Sequence, residues 1–222
     1  MRKILIISVL AVFAYAGCKK KENDVSTTVT ASYPTITIVG SQYVSIPVGG
    51  AFTPPSATAY DSFYHETMVV LKDLGTLDNT VPGLYTVTYS AKNHYGFVGT
   101  KNVYVAVTNV SDTFDVSLSG WYLRLANPNR AAHITKVATG MFMTDNVGGV
   151  DTTDATTGPR VSAVFAVTSL TAFTFGTQLT SDGSLSSNSE SLSLAVGATP
   201  TTLSYALVEA SFGKQVRTFV KQ

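Results

Sequence analysis

The sequence contains one cysteine, Cys18, so no internal disulfide is available to it. Its three histidines, His65, His94 and His133, are scattered, with neither an H-x-x-x-H spacing nor a second cysteine. That excludes the usual zinc patterns. There is no G-x-S-x-G nucleophile elbow and no glycine-rich phosphate loop. Charged residues make up only 13% of the chain and the net charge is +1. No basic stripe runs along the sequence, which sets nucleic acid aside as a partner. A bilayer-spanning helix needs about 20 apolar residues, whereas the apolar stretch Ile4 to Ala14 has about eleven. Beyond it, no stretch of ten residues carries helical periodicity.

The N-terminus is organised for export. Arg2 and Lys3 precede the short apolar stretch, and the small residues Ala16 and Gly17 precede Cys18. This is the layout of a cleaved signal peptide, and the segment resembles the bacterial lipobox, with Tyr15 in place of the usual leucine. The resemblance implies a signal peptide over 1–17 and a lipidated Cys18 that anchors the chain to a membrane. The alternative is cleavage after Ala16 with a free thiol, but an odd cysteine in an exported protein calls for a role, and lipidation supplies one. Each buried acyl methylene contributes about 0.8 kcal/mol to such an anchor. Residues 18–32, polar and without periodicity, read as a tether, with Lys19, Lys20 and Lys21 against the lipid headgroups.

What is abundant is Thr, Ser, Val, Gly and Tyr, a composition suited to strands with hydroxyl-rich faces. The fold class expected is all-β. In residues 33–108 the alternation has period two. Ile36 and Ile38 share a face, as do Val44 and Ile46, then Tyr85, Val87 and Tyr89, then Val103, Val105 and Val107. Thr86, Thr88 and Ser90 point the other way. Two sheets with one buried face each produce this pattern. The succession PTITIVG, IPVGGAFTPPSATAYD, TLDNTVPGLYTVTYSAKNHYG and VYVAV resembles the immunoglobulin-like domains related to the HYR module of bacterial surface proteins. That resemblance implies an immunoglobulin-like β-sandwich in which Tyr85 forms a tyrosine corner with its neighbouring backbone. The family's acidic segment is reduced here to Asp61 followed by Ser62, Phe63, Tyr64 and His65, too few oxygen ligands for calcium.

Residues 109–113 read as a hinge, and 114–222 as a C-terminal β domain. Seven strand-like segments, at 120–126, 133–145, 160–167, 170–179, 189–196, 202–210 and 215–221, alternate with turn signals at Asn127-Pro128-Asn129, Gly148-Gly149, Asp182-Gly183 and Ala198-Thr199-Pro200. A second antiparallel β-sandwich or a small barrel is expected. The stretch ITKVATGMFMTDNVGG resembles the C-terminal domains of lipoproteins encoded beside starch-utilisation-type glycan-uptake systems. That similarity implies an outer-membrane lipoprotein and leaves open which membrane face it occupies.

Catalytic groups are scarce. The acid pairs close in sequence are Asp61 with Glu66, Asp73 with Asp78, and Asp151 with Asp154, all in turn-like surroundings. A glycosidase would need two carboxylates about 5–10 Å apart; neither an enzyme nor a cofactor or metal is expected. GGVDTTDATTG (148–158) reads as a flexible loop, the alternative being a calcium loop through Asp151 and Asp154. Aromatic residues are the better lead, because flat rings stack on sugar faces. Trp121, the sole tryptophan, lies beside Tyr122 and Arg124; tryptophan is highly buried on average, so the core is its ordinary place, and exposure would make this cluster a platform. Tyr60, Phe63, Tyr64 and His65 form a second group at an expected loop tip, with Tyr95 positioned to join it. The expected function is that of a non-catalytic envelope lipoprotein, either glycan-binding beside an outer-membrane transporter or a structural and adhesive module with protein partners.

Overall fold

The computed structural model describes residues 30–110, 118–125, 127–151, 153–154, 158–195, 199–208 and 215–222. The expected signal peptide, Cys18 and most of the tether lie outside the described residues, as do 111–113 of the expected hinge. Every regular element among the described residues is a β-strand.

The first seven strands form a two-sheet sandwich. One sheet holds β1 (Thr35–Ile38), β3 (Ala57–Asp61) and β4 (Glu66–Met68) in the order β1-β3-β4. The other holds β2 (Tyr43–Ile46), β5 (Leu71–Asp73), β6 (Gly83–Lys92) and β7 (Val98–Val107) in the order β2-β7-β6-β5. The alternating residues do what their period requires. Val87, Tyr89, Val103, Val105 and Val107 are buried together, with Ile36 from the facing sheet. The tyrosine corner forms: the Tyr85 hydroxyl donates to the Val81 carbonyl at 2.9 Å. Gly83 leaves room for that ring, since a Cβ there would lie 3.2 Å from it.

Eight of the remaining ten strands form an antiparallel sheet that curls toward a barrel. Its order is β12 (Ala172–Thr174), β11 (Ala163–Ser169), β10 (Met141–Thr144), β9 (Asn127–Ala138), β8 (Gly120–Arg124), β17 (Val216–Lys221), β16 (Thr202–Leu207), β15 (Ser187–Ser193). Its two ends meet where the Leu192 amide donates to the Thr171 carbonyl at 2.9 Å. A barrel of this strand number is filled by side chains, and here the filling is aromatic: Phe142, Phe165, Phe173, Phe175, Tyr205 and Phe219. The separate hairpin β13 (Gln178–Thr180) and β14 (Gly183–Leu185) adds Leu185 to the barrel core.

Three expectations are corrected. The segment 133–145 is a hairpin rather than one strand, because Gly140 turns the chain at a φ of 63°. Gly176, at a φ of 57°, likewise divides 170–179 into β12 and β13. Asn127-Pro128-Asn129 opens β9 instead of forming a turn, since Arg124 already pairs with Asn127.

The loop expected to be flexible at Gly148-Gly149 is instead tucked into the barrel, with residues 146–150 buried. Three successive carbonyls are held by barrel side chains. Tyr205 donates to Val147 at 2.8 Å, Arg217 Nε to Gly148 at 2.9 Å, and Arg124 Nη1 to Gly149 at 3.4 Å. Burial, and then the nearby Arg130, lower the Arg124 pKa. Asn146 closes the loop by donating to Ala131 and Val150 and accepting from the Val150 amide.

A pH dependence follows from this core. Burial raises the phenol pKa of Tyr122, which donates to Leu118, and of Tyr205 well above the ordinary 10.0. A folded-state pKa above the unfolded one gives stability that is complete below about pH 10 and lost as pH climbs beyond it. The denaturation midpoint is therefore expected to hold up to about pH 10 and then fall. In Tyr205→Phe the alkaline fall should be shallower. At neutral pH that variant should lose about 1 kcal/mol, the contribution of one buried hydrogen bond.

The sandwich and the barrel share an apolar seam within one compact unit. Leu84 and Ala106, on the outer face of the β6–β7 pair, pack on Met141, Val164 and Ala166 of the barrel. Thr86, expected to look outward, does leave the sandwich core, but its hydroxyl donates to the Thr177 carbonyl at 3.3 Å.

Candidate binding surfaces

The loop tip of the sandwich brings together most of its sequence candidates. Asp61, at the end of β3, is buried and accepts from the Ser32 hydroxyl, the Phe63 and Tyr64 amides and the Asn93 side-chain amide. Burial alone would push its carboxyl up; these hydrogen bonds outweigh it and hold the pKa below the usual carboxylate range. Asn93 does the same for the 93–97 loop, accepting from the Tyr95 and Phe97 amides and donating to the Ser32 carbonyl. The Asp61–Asn93 contact of 2.8 Å thus ties two loops into one unit.

On this base sits an aromatic cluster. Tyr64 packs on Phe63 at 4.8 Å, on His94 at 5.4 Å and on Tyr95 at 4.6 Å between ring centroids. Phe63 and Tyr95 are 56% and 45% exposed, so the cluster faces water. Tyr60, also exposed, pairs its hydroxyl with His65 Nδ1 at 3.1 Å. His94 Nδ1 contacts Glu66. His94 was legible only as an isolated histidine; its proximity to Tyr64 depends on the Asp61–Asn93 contact.

The second candidate group divides. Trp121 is 53% exposed, not in the core, and its ring lies 4.8 Å from that of His133. Tyr122 is fully buried in the barrel, where its hydroxyl is used by Leu118. Arg124 holds the Gly149 carbonyl. Consecutive strand residues face opposite sides, so the Trp121-Tyr122 dipeptide could never present both rings. The correction is that Tyr122 and Arg124 serve the barrel, and of the three only Trp121 is exposed.

Of the acid-pair carboxylates, Asp73, Asp78 and Asp151 cap turns, and Glu66 contacts His94. Asp73 accepts from the Gly75 amide, Asp78 from the Thr80 amide and hydroxyl, and Asp151 from those of Thr153. Among the described residues no cluster of three or more His, Cys, Asp or Glu side chains could hold a metal ion.

Sequence reasoning missed a third surface. Between the outer face of the sandwich and the barrel lies a cavity of about 370 Å³ whose lining includes Gln42, Tyr43, Tyr104, Met143, Arg160 and Gln178. The Tyr43 and Tyr104 rings stack at 6.1 Å with 12° between their planes. The signal was present in KNVYVAV: Tyr104 falls on the face opposite Val103 and Val105, where a core aromatic would not be.

Comparison with known proteins bears on the fold. Residues 36–107 match the family model described as bacterial surface protein, Ig-like domain. The crystal structure of a lipoprotein from Bacteroides thetaiotaomicron is similar, at 22% identity and a TM-score of 0.35, covering 85% of this chain and 100% of that one. No curated protein matches the chain. The N-terminal sandwich is thus immunoglobulin-like, and its residues 36–107 are similar to that bacterial surface family.

Proposed function

We propose that this chain is a non-catalytic, lipid-anchored protein of the bacterial envelope that holds polysaccharide on the aromatic tip of its immunoglobulin-like domain. The observation that carries the reading is the packing of Tyr64 with Phe63, His94 and Tyr95 on a buried polar base. Rings already fixed before binding lose little entropy when a sugar stacks on them. Carboxylates engaged in turns and in the loop base support a binding rather than a hydrolytic role. The lipobox at Cys18 supports attachment to the outer membrane, beside the components of a glycan transporter.

A protein-binding role has its own observation. β5 is an edge strand, and Val69 and Leu71 beside and on it are 80% and 66% exposed. Such an edge can take a strand from a partner.

Affinity electrophoresis of the purified protein through gels containing plant, host and microbial polysaccharides separates the two. Retardation by one glycan class is expected, weakened about tenfold by Tyr64→Ala, since aromatic contacts of this kind contribute about 0.5–1.5 kcal/mol each. A broad panel with no retardation would sink the glycan reading and turn attention to the β5 edge.

A further inference from the structure

We infer that the cleft between the two domains is a second glycan site, built for the internal stretch of a neutral, linear oligosaccharide. The inference rests on the glycan reading for its class of ligand, but not on the loop tip.

The Tyr43–Tyr104 cavity does not stand alone. A second cavity of about 450 Å³, whose lining includes Thr86, Thr88, Thr100, Asn102 and Ser184, shares Gln178 and Leu179 with it. Both volumes fall in the range of about 300–1,000 Å³ typical of small-molecule sites. The two cavities flank the β13–β14 hairpin and lie along one sheet face. Strand register sets this order: Tyr43 pairs with Tyr104, Thr86 with Tyr104, Thr88 with Asn102, and Ser90 with Thr100. From Thr100 to Tyr104 the face extends about 14 Å, at roughly 3.4 Å per residue.

The lining suits a sugar chain. At one end stand two near-parallel tyrosine rings, with the Tyr43 hydroxyl accepting from Gln42 at 2.9 Å. Along the rest run hydroxyls and amides that both donate and accept, as the hydroxyls of a sugar require. The walls are fixed. Gln178 accepts from the Val164 amide and donates to the Val164 and Phe175 carbonyls, pinning the hairpin to β11. Arg160 is paired with Asp145 at 2.6 Å, so its charge is balanced within the protein. No carboxylate lines either cavity, and Lys101 is the other cation there. A neutral ligand leaves no buried charge unpaired, because Lys101 is exposed to water.

The protein carries its own reporter. Met143 lines the cleft, while Met68 packs in the sandwich core and Met141 in the domain seam. Methionine-methyl NMR of the full chain, titrated with gluco-, manno- and xylo-oligosaccharides, is the test. A saturable shift of Met143 is expected from one of these series, with Met68, in the sandwich core, still as the control. It should persist in Tyr64→Ala and weaken three- to tenfold in Asn102→Ala, which removes a groove amide without touching the core. Binding lost entirely in Tyr64→Ala, with Met143 unmoved throughout, would overturn the cleft site while leaving glycan binding at the tip. A Met143 shift indifferent to Asn102→Ala would overturn the continuous groove. A response to acidic oligosaccharides alone would overturn the neutral assignment.

Discussion

Replacing Gly99 with alanine is expected to destabilise the immunoglobulin-like domain by about 3 kcal/mol, at the upper end of what overpacking a filled site costs. Gly99 lies in β7 where the chain entering β1 passes close by. A Cβ there would fall 1.9 Å from the Pro34 carbonyl oxygen and 2.9 Å from its carbon. Both are backbone atoms, so no side chain can rotate away; β1 or β7 must move. Gly183 makes the contrast, because a Cβ there meets nothing within 4 Å. Gly183→Ala should pay only for its φ of 118°, about 1–2 kcal/mol. Urea midpoints of the two variants test the comparison, and equal midpoints would show that β1 does not cross at Gly99.

The same pair of glycines shows where a sequence stops being legible. Both stand in plausible turn or strand positions, and nothing local separates a glycine needed for space from one needed for its φ. What local pattern does carry is the buried face of each strand. Val87, Val103, Val105 and Val107 recur with period two because they share the face that meets the sandwich core, while Tyr104 and Ala106 between them face the barrel. That alternation, with the tyrosine corner at Tyr85, made the sandwich readable. It also held the answer for Trp121 and Tyr122, whose opposite orientations follow from being consecutive in a strand, though not which of the two would be inside.

The barrel's plug was hidden for a different reason. Asn146, Gly148 and Gly149 look like loop residues because their side chains add little apolar surface. They are buried because Tyr205, Arg217 and Arg124, from strands far along the chain, satisfy the backbone carbonyls that burial would otherwise strand. The cleft is equally non-local: Tyr43, Tyr104 and Gln178 come from three segments joined only by strand pairing and the domain seam. Candidate sites readable from sequence were those held within one loop, such as Phe63, Tyr64 and His65.

Asn93→Ala should disable the loop tip as a unit. The side chain makes four hydrogen bonds: to the Ser32 carbonyl, to Asp61 Oδ2, and from the Tyr95 and Phe97 amides. Each bond removed from a buried partner costs about 1–3 kcal/mol, less where water can enter, so a loss of about 3 kcal/mol is expected. Tyr95 and Tyr64 would lose their common base, and retention on glycan gels should fall at least as far as in Tyr64→Ala. Asn93→Asp separates this account from a general loss of packing. It keeps an acceptor for the Tyr95 and Phe97 amides but sets a second carboxylate against Asp61. Like charges so close raise the pKa of the pair, giving stability that is present at low pH and lost as pH rises. The wild-type protein should slope the other way. Its Asp61 pKa lies below the ordinary 3.8, so the stability it contributes is present above that value and lost as pH falls through the lowered one. Between pH 2 and 7, denaturation midpoints should therefore rise toward acid in Asn93→Asp, whereas the wild type should hold down to about pH 4 and fall below it. Parallel slopes would mean that Asp61 and Asn93 do not share the buried contact on which the aromatic tip is built.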